Sequence, residues 1–212
     1  MTDKTDAETG NAGMLPRREI LIADATSADA PLIADAILSA IGDDITRHLA
    51  GETHTREDVH GIFERLAARE DTQYSYLNTR VARADDGNIA GVCVSYDGAD
   101  LKRLRRAFFA EANSILGWDL TAEEIEALPG ETEPEEFYLD TLMTLPAYRR
   151  QGVGEALIRD AARKAKSAGK PLGLLCDPDN DRALRLYERC GFRREGVRPF
   201  AGHEMNHLRL IS

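Results

Sequence analysis

From residue 137 to residue 176 the chain passes without pause from a strand pattern, through a glycine-broken loop, into a helix and back to a strand. Phe137–Thr144 has strand character, and Pro146, which cannot donate to a ladder, closes it. Gly152–Ala168 then carries Val153, Leu157, Ala161, Ala165 and Ala168 on one helical face. Leu172–Cys176 is short and wholly apolar, as a buried strand is. A helix with one apolar stripe, standing directly between two strands, is built to cover a sheet.

The rest of the chain extends this alternation. Glu19–Ala23 reads as a first strand. Thr26 and Ser27 are capping types, Pro31 occupies the following first turn, and Ile33, Ile37, Ala40 and Ile41 recur at helical spacing. A second amphipathic helix is predicted over Glu57–Ala68, with Val59, Ile62, Phe63 and Leu66 on its stripe. Arg80–Ala84, the turn Asp85-Asp86-Gly87-Asn88, and Ile89–Tyr96 read as a hairpin, closed by Gly98. Residues 99–135 form a helical insertion. Leu101, Leu104, Phe108, Ala112 and Ile115 mark one helix face ending at Gly117, and Leu120–Leu128 a shorter helix broken by Pro129-Gly130. Asp179 is read as the cap of a helix running to about Cys190, with Gly191 as its left-handed terminus, and His203–Ile211 as a last strand. The expected class is α/β, a mixed central sheet flanked by helices. The expected organisation is one domain over 18–212, preceded by a polar, disordered segment 1–17.

A chain of 212 residues is long enough for one substantial core. No apolar run approaches the ~20 residues of a membrane-spanning helix, and the N-terminus lacks the basic and apolar regions of a secretory signal. Cys93, Cys176 and Cys190 are widely spaced and odd in number, which fits reduced thiols in a cytoplasmic protein. A formal net charge of −10 argues against a nucleic-acid partner. Between Asp119 and Glu136 eight acidic residues occur with no basic one. They read either as a solvated loop or as a rim attracting cationic substrates.

The loop before the 152–168 helix carries the chemistry. Glycines at 152 and 154 leave backbone N–H groups bare where the first helical turn has unpaired donors, so the loop can cradle an anion such as a pyrophosphate. It lacks the third glycine of a dinucleotide fingerprint and the Gly-Lys-Ser/Thr ending of a P-loop. Arg149-Arg150-Gln151-Gly152-Val153-Gly154 resembles the coenzyme A loop of the GCN5-related N-acetyltransferases, the GNAT superfamily, whose pattern is Arg/Gln-x-x-Gly-x-Gly/Ala. Leu142-Met143-Thr144, Pro146 and Tyr148 stand at the family spacing before it. A second block, Asn180, Ala183, Tyr187, Cys190, Gly191 and Phe192, is similar to the family's later signature.

The resemblance implies a GNAT-like fold and transfer of the acetyl group of acetyl-CoA to a primary amine by direct attack in a ternary complex. It implies that the strand ending near Thr144 splays from Leu172–Cys176, so that the backbone around Leu142, Met143 and Thr144 meets the pantetheine and the thioester oxygen. Arg149, Arg150, Gln151, Gly152, Val153 and Gly154 would hold the pyrophosphate. Asn180 would hold the pantetheine or simply start its helix. Tyr187 would donate a hydrogen bond to the departing sulfur; spacing alone makes it core. Glu136, Tyr138 and Asp140 alternate onto one strand face. Asp140 is the candidate base or proton relay, with a merely structural carboxylate as the alternative.

A competing expectation is a silent acyl-CoA-binding domain. A remote one is a zinc hydrolase, because His203-Glu204-Met205-Asn206-His207 matches a zinc-peptidase pattern. That pattern needs a helix; on a strand the two histidines stand roughly 13 Å apart, so no metal is expected. A homodimer is compatible with the sequence, and no membrane partner is expected.

Overall fold

The computed structural model describes residues 20–211. The expected lead-in at 1–17 and Glu19 of the first expected strand lie outside the described residues. Within them one mixed sheet holds β1 (Leu21–Asp24), β2 (Thr79–Arg83), β3 (Ile89–Asp97), β4 (Phe137–Thr144), β5 (Leu172–Cys176), β6 (Phe192–Phe200) and β7 (His203–Leu210). Their spatial order is β1-β2-β3-β4-β5-β7-β6. Neighbours are antiparallel except β4 and β5, which run parallel and are joined through helix α6 (Val153–Ser167). Parallel neighbours cannot be linked by a tight turn, so the helix predicted from the apolar stripe serves as the crossover.

Two cores lie on the two sheet faces. Helices α1 (Ala30–Ala50) and α2 (Arg56–Ala67) pack with Val81, Val92, Val94, Tyr96 and Tyr138. Helices α6 and α7 (Asp181–Arg189) pack with Ala82, Cys93, Leu139 and Leu174. Successive residues such as Val81 and Ala82, or Tyr138 and Leu139, go to opposite cores because strand side chains alternate. The predicted stripes are buried except at their ends: Ile33 and Ile37 in α1, Val59, Ile62, Phe63 and Leu66 in α2, and Val153, Leu157, Ala161 and Ala165 in α6 are buried, whereas Ala40 and Ala168 are exposed and Ile41 is half-buried. Each fully buried large aliphatic contributes about 1.5–3 kcal/mol relative to exposure. α2 opens on a capping box between Thr55 and Asp58. α1 is not continuous: Gly42, at φ 78 and ψ 172, breaks it into two segments.

The insertion is more divided than its periodicity predicts. Its first helix is two, α3 (Leu101–Leu104) and α4 (Arg106–Leu116), and α5 (Ala122–Ala127) follows. At the break Arg105 is buried, and its guanidinium donates to the carbonyls of Ile125, Leu128 and Pro129 at 2.8, 2.9 and 3.0 Å. Gly117 ends α4 in the left-handed region, as expected. The chain then returns beside Gly98, whose N–H donates to the Glu136 carbonyl at 2.8 Å. A Cβ at Gly98 would overlap the Glu133 carbonyl oxygen.

Three expectations are corrected. The acidic run is solvated only in part: Asp119, Glu123, Glu124, Glu126 and Glu135 are exposed, whereas its other members turn inward. Glu126 pairs with Lys102 at 3.0 Å, Glu133 pairs with Arg198 and Arg209, and buried Glu136 bonds His207 at 2.9 Å. The cations come largely from strands distant in sequence. β6 was not anticipated: Arg193, Arg194, Glu195 and Pro199 give it no apolar alternation, and it stands at the sheet edge, where such residues are tolerated. The cap of α7 is Asn180, whose Oδ1 accepts from the Ala183 N–H at 3.1 Å, and not Asp179. Among the described residues no helix is long and apolar enough to cross a membrane.

Candidate active site

β4 and β5 pair only at Phe137–Leu172 and Tyr138–Gly173. Beyond that point β5 follows β7, and β4 stays with β3. The two strands thus diverge over the stretch where the family resemblance implies a splay, and among the described residues the rest of β4 has no strand partner on that edge. A cleft of about 1480 Å³ opens there, its walls including Asp140, Leu142, Met143, Thr144, Cys176 and Tyr187. Backbone groups at a sheet edge need partners, so a ligand extended along β4 can supply what β5 does not.

The loop into α6 has a fixed shape. Tyr148 donates its hydroxyl to Asp86 Oδ2 at 2.9 Å, Gln151 Nε2 donates to the Ala147 carbonyl at 2.9 Å, and Arg149 Nε donates to the Thr144 carbonyl at 3.4 Å. Arg150 and Gly152 are left-handed, at φ 65 and φ 85, so the path turns sharply into the helix. Gly152 caps α6, and nothing stands within 4 Å of the place a Cβ would take. Gly154 is buried: a Cβ there would come 3.2 Å from Leu186 Cδ2. Its hydrogen therefore lets α6 start close against α7. Val153 is buried in the core beside it, so only its main chain is offered to the cleft. Exposed Arg149 and Arg150 stand at this end, and Arg182, Arg185 and Arg189 of α7 also line the walls. Unpaired helix donors beside guanidinium groups are suited to an anion.

Tyr187 is 8% exposed and lies on a cleft wall, with its ring edge-on to Phe192 at 5.5 Å. Among the described residues its hydroxyl has no hydrogen-bond partner. Burial pushes the phenol above its ordinary value, so it stays protonated and available as a donor. Asn180 is already engaged as the α7 cap, which leaves its amide as the group that can face the cleft.

Asp140 owes its position to a feature that strand alternation alone does not reveal. Leu139 pairs with Ser95 and Thr141 with Val94, so Asp140 is the extra residue of a β-bulge. Bulges re-aim a side chain and end regular pairing. Asp140 Oδ2 accepts from the Tyr96 hydroxyl at 3.0 Å, and Oδ1 from Thr141 Oγ1 at 2.9 Å. Burial, and then the charge of Glu131, push its carboxyl up to about 7 against those hydrogen bonds. Glu136, expected on the same face, belongs elsewhere: it bonds His207 Nε2 above Gly173. His203 and His207 lie on strand β7, as the strand reading of that motif predicts.

The sequence reading missed Ser39–Ile45 around the α1 break, which brings Asp43 and Asp44 to the cleft, and Glu204 on β7. A glycine at 42 inside an apolar helical pattern was the available signal for the first. It also missed Tyr96 and Glu131, which no spacing rule connects to Asp140.

The family description "Acetyltransferase (GNAT) family" matches residues 44–192, well over half of the chain. Over 69 residues the sequence is 39% identical to the N-alpha-acetyltransferase RimI of Mycobacterium tuberculosis, covering 32% of this chain and 42% of that protein. The chain thus spans less than half the length of the curated relatives it matches. A crystal structure described as an acetyltransferase superposes with a TM-score of 0.66 at 29% identity, covering 90% of this chain and 98% of that one. An N-acetyltransferase from Staphylococcus aureus Mu50 shares the fold with a TM-score of 0.70 at 22% identity, covering 90% and 100%. With the family matched across β2 to α7 and the diverging strands, glycine loop and helix start in one cleft, this chain belongs to the GNAT family of acetyltransferases.

Proposed function

We propose that the protein is an acetyl-CoA-dependent N-acetyltransferase that acts on a primary amine, with an α-amine as the best-suited acceptor. The residues present fit coenzyme A. Gly152, Val153 and Gly154 offer main-chain donors at a helix start, Arg149, Arg150 and Gln151 surround them, and the free edge of Leu142, Met143 and Thr144 suits an extended pantetheine. Acetyl-CoA supplies an acetyl group activated as a thioester. The acceptor nitrogen bonds to the acetyl carbon as the carbon–sulfur bond breaks, and Asp140 removes the amine proton, directly or through water. Main-chain donors of Leu142 and Thr144 stabilise charge gathering on the thioester oxygen. Tyr187 gives a hydrogen bond to sulfur, and Asn180 orients the pantetheine. With no covalent enzyme intermediate required, both substrates occupy the cleft together.

The observation that carries this reading is the pairing of Asp140, at about 7, with the Tyr187 donor in a single cleft. It also bears on the acceptor. Proton transfer from an α-ammonium of pKa ~7.7–8 to such a base is uphill by about 1 kcal/mol, against roughly 4–5 kcal/mol from a lysine ammonium near 10.4. The partial likeness to an N-alpha-acetyltransferase points the same way. We further propose that residues 18–212 act as one catalytic domain.

The test is thiol release from acetyl-CoA against peptides with a free α-amine and against Nα-blocked lysine peptides, alongside calorimetry with coenzyme A. Turnover on the first set supports the reading. Turnover on lysine peptides alone overturns the acceptor preference. Binding without turnover on either leaves a silent acyl-CoA-binding domain, and no binding refutes the reading altogether.

A further inference from the structure

The Tyr96 hydroxyl lies 3.0 Å from Asp140 Oδ2 and 3.2 Å from Glu131 Oε1. A phenol has one hydrogen, so it cannot fully satisfy two ionised carboxylates. Two like charges bridged by one small group repel each other, and one carboxyl is driven to keep its proton. That proton can then be donated to the Tyr96 oxygen, while the phenol hydrogen serves the other carboxylate. Tyr96 is 3% exposed and packs against Tyr138, with ring centroids 5.7 Å apart. Asp140 is a cleft wall; Tyr96 and Glu131 are not.

The insertion is constructed to place Glu131 there. Arg105 ties down the carbonyls of 125, 128 and 129 immediately upstream. A Cβ at Gly130 would stand 2.9 Å from Leu101 Cδ2, so any side chain there would have to displace Leu101. Downstream the chain passes over Gly98 into β4. We propose that Glu131 is a positioning residue that shares one proton with Asp140 through Tyr96, and so sets the protonation state of the base that faces the acceptor. This rests on the assignment of Asp140 given above.

The groups facing the pair come from four separate parts of the fold. Tyr96 comes from β3, Tyr138 from β4, Tyr74 from the segment after α2, and Arg105 from the α3–α4 break. The charged groups on the cleft walls include Asp43 and Asp44 of α1 and Glu204 of β7. Burial raises the three tyrosines above their ordinary range and raises Glu131 as well. Arg105 is committed to carbonyls, and among the described residues no cation bonds either carboxyl directly.

The experiment is a carboxyl carbon-13 NMR titration of the full chain without ligand, paired with a pH profile of turnover. The Asp140 resonance of the wild type should titrate near 7. Glu131→Gln should lower its midpoint by about one unit or more, because a repelling neighbour is gone. Tyr96→Phe should raise it, because a hydrogen bond to the ionised form is lost. Glu131→Asp, which keeps the charge, should hold the midpoint near that of the wild type. In turnover, a midpoint moved from about 7 to about 6 lifts the active fraction at pH 6 roughly fivefold relative to each enzyme's own plateau. A purely structural Glu131 would alter rates without moving midpoints in opposite directions. An Asp140 midpoint in Glu131→Gln within about 0.3 unit of the wild type would overturn the proposal. Should that variant not fold, Asp140→Asn gives the reciprocal reading: by linkage the Glu131 midpoint must then fall, and its constancy overturns the proposal equally. The titration needs no turnover, so inactivity on every amine would sink the function above and still leave this inference tested.

Discussion

Replacing Tyr187 by phenylalanine separates the packing role of this side chain from its chemical one. The ring fills space against Phe192 at 5.5 Å, and phenylalanine keeps that contact. The hydroxyl has no partner among the described residues, so its loss strands no buried group, and the folded state should change by less than about 0.5 kcal/mol. In the proposed mechanism what is lost is a donor to the leaving sulfur. The phenol sits above its ordinary value because of burial, so complete proton transfer to a thiolate of pKa ~8.5 is uphill, and the contribution is a hydrogen bond to developing charge. Such a bond is worth about 1.5–3 kcal/mol, which converts to roughly a 10- to 150-fold fall in kcat. Thiol release at saturating acetyl-CoA measures kcat, and calorimetry measures the Kd for coenzyme A, expected within about threefold of the wild type. A kcat within twofold of the wild type, or a loss residing wholly in Kd, would refute the reasoning.

Three other perturbations test the remaining structure. Asp140→Asn removes a carboxyl whose folded value is raised to about 7. A raised acid stabilises the fold below its unfolded value of ~3.9 and withdraws that stability as pH climbs toward 7, by up to about 4 kcal/mol. Urea denaturation should therefore show the wild type losing stability relative to this variant between pH 4 and 8, and parallel profiles would contradict it. Gly173→Ala places a Cβ on Glu136 Oε2 and must displace the buried bond to His207. A loss of about 2–4 kcal/mol is expected in the same assay, because the pair is broken where neither partner reaches water. Arg149→Ala with Arg150→Ala should weaken coenzyme A binding at least about tenfold and flatten its salt dependence, without changing the melting temperature by more than about 2 °C. Calorimetry at two ionic strengths checks this.

The site was legible in the sequence where local chemistry dictates it. Gly152 and Gly154 before an apolar helical stripe announce a bare helix start whatever the fold around them. Tyr187 sits on the inward face of α7, as its spacing with Ala183 and Leu186 predicts, and spacing could not distinguish a core ring from a cleft donor. β6 stayed invisible because an edge strand is held by ladder hydrogen bonds to β7, which charged side chains and a proline at the margin do not prevent. The acidic run was legible only in its exposed part, because Glu133 and Glu136 meet Arg198, Arg209 and His207 only after the chain has folded back.

The amino-acid order alone decided most of the strands and helices, β6 and the division of the insertion excepted, and where a helix start stands bare, since periodicity, caps and glycines act within a few residues. The folded arrangement decided the divergence of β4 from β5, the bulge that turns Asp140 toward the cleft, and the meeting of Asp140 with Tyr96 and Glu131. Those contacts join positions 35 and 44 residues apart, and desolvation and charge repulsion exist only once the chain has brought the groups together and removed the water between them.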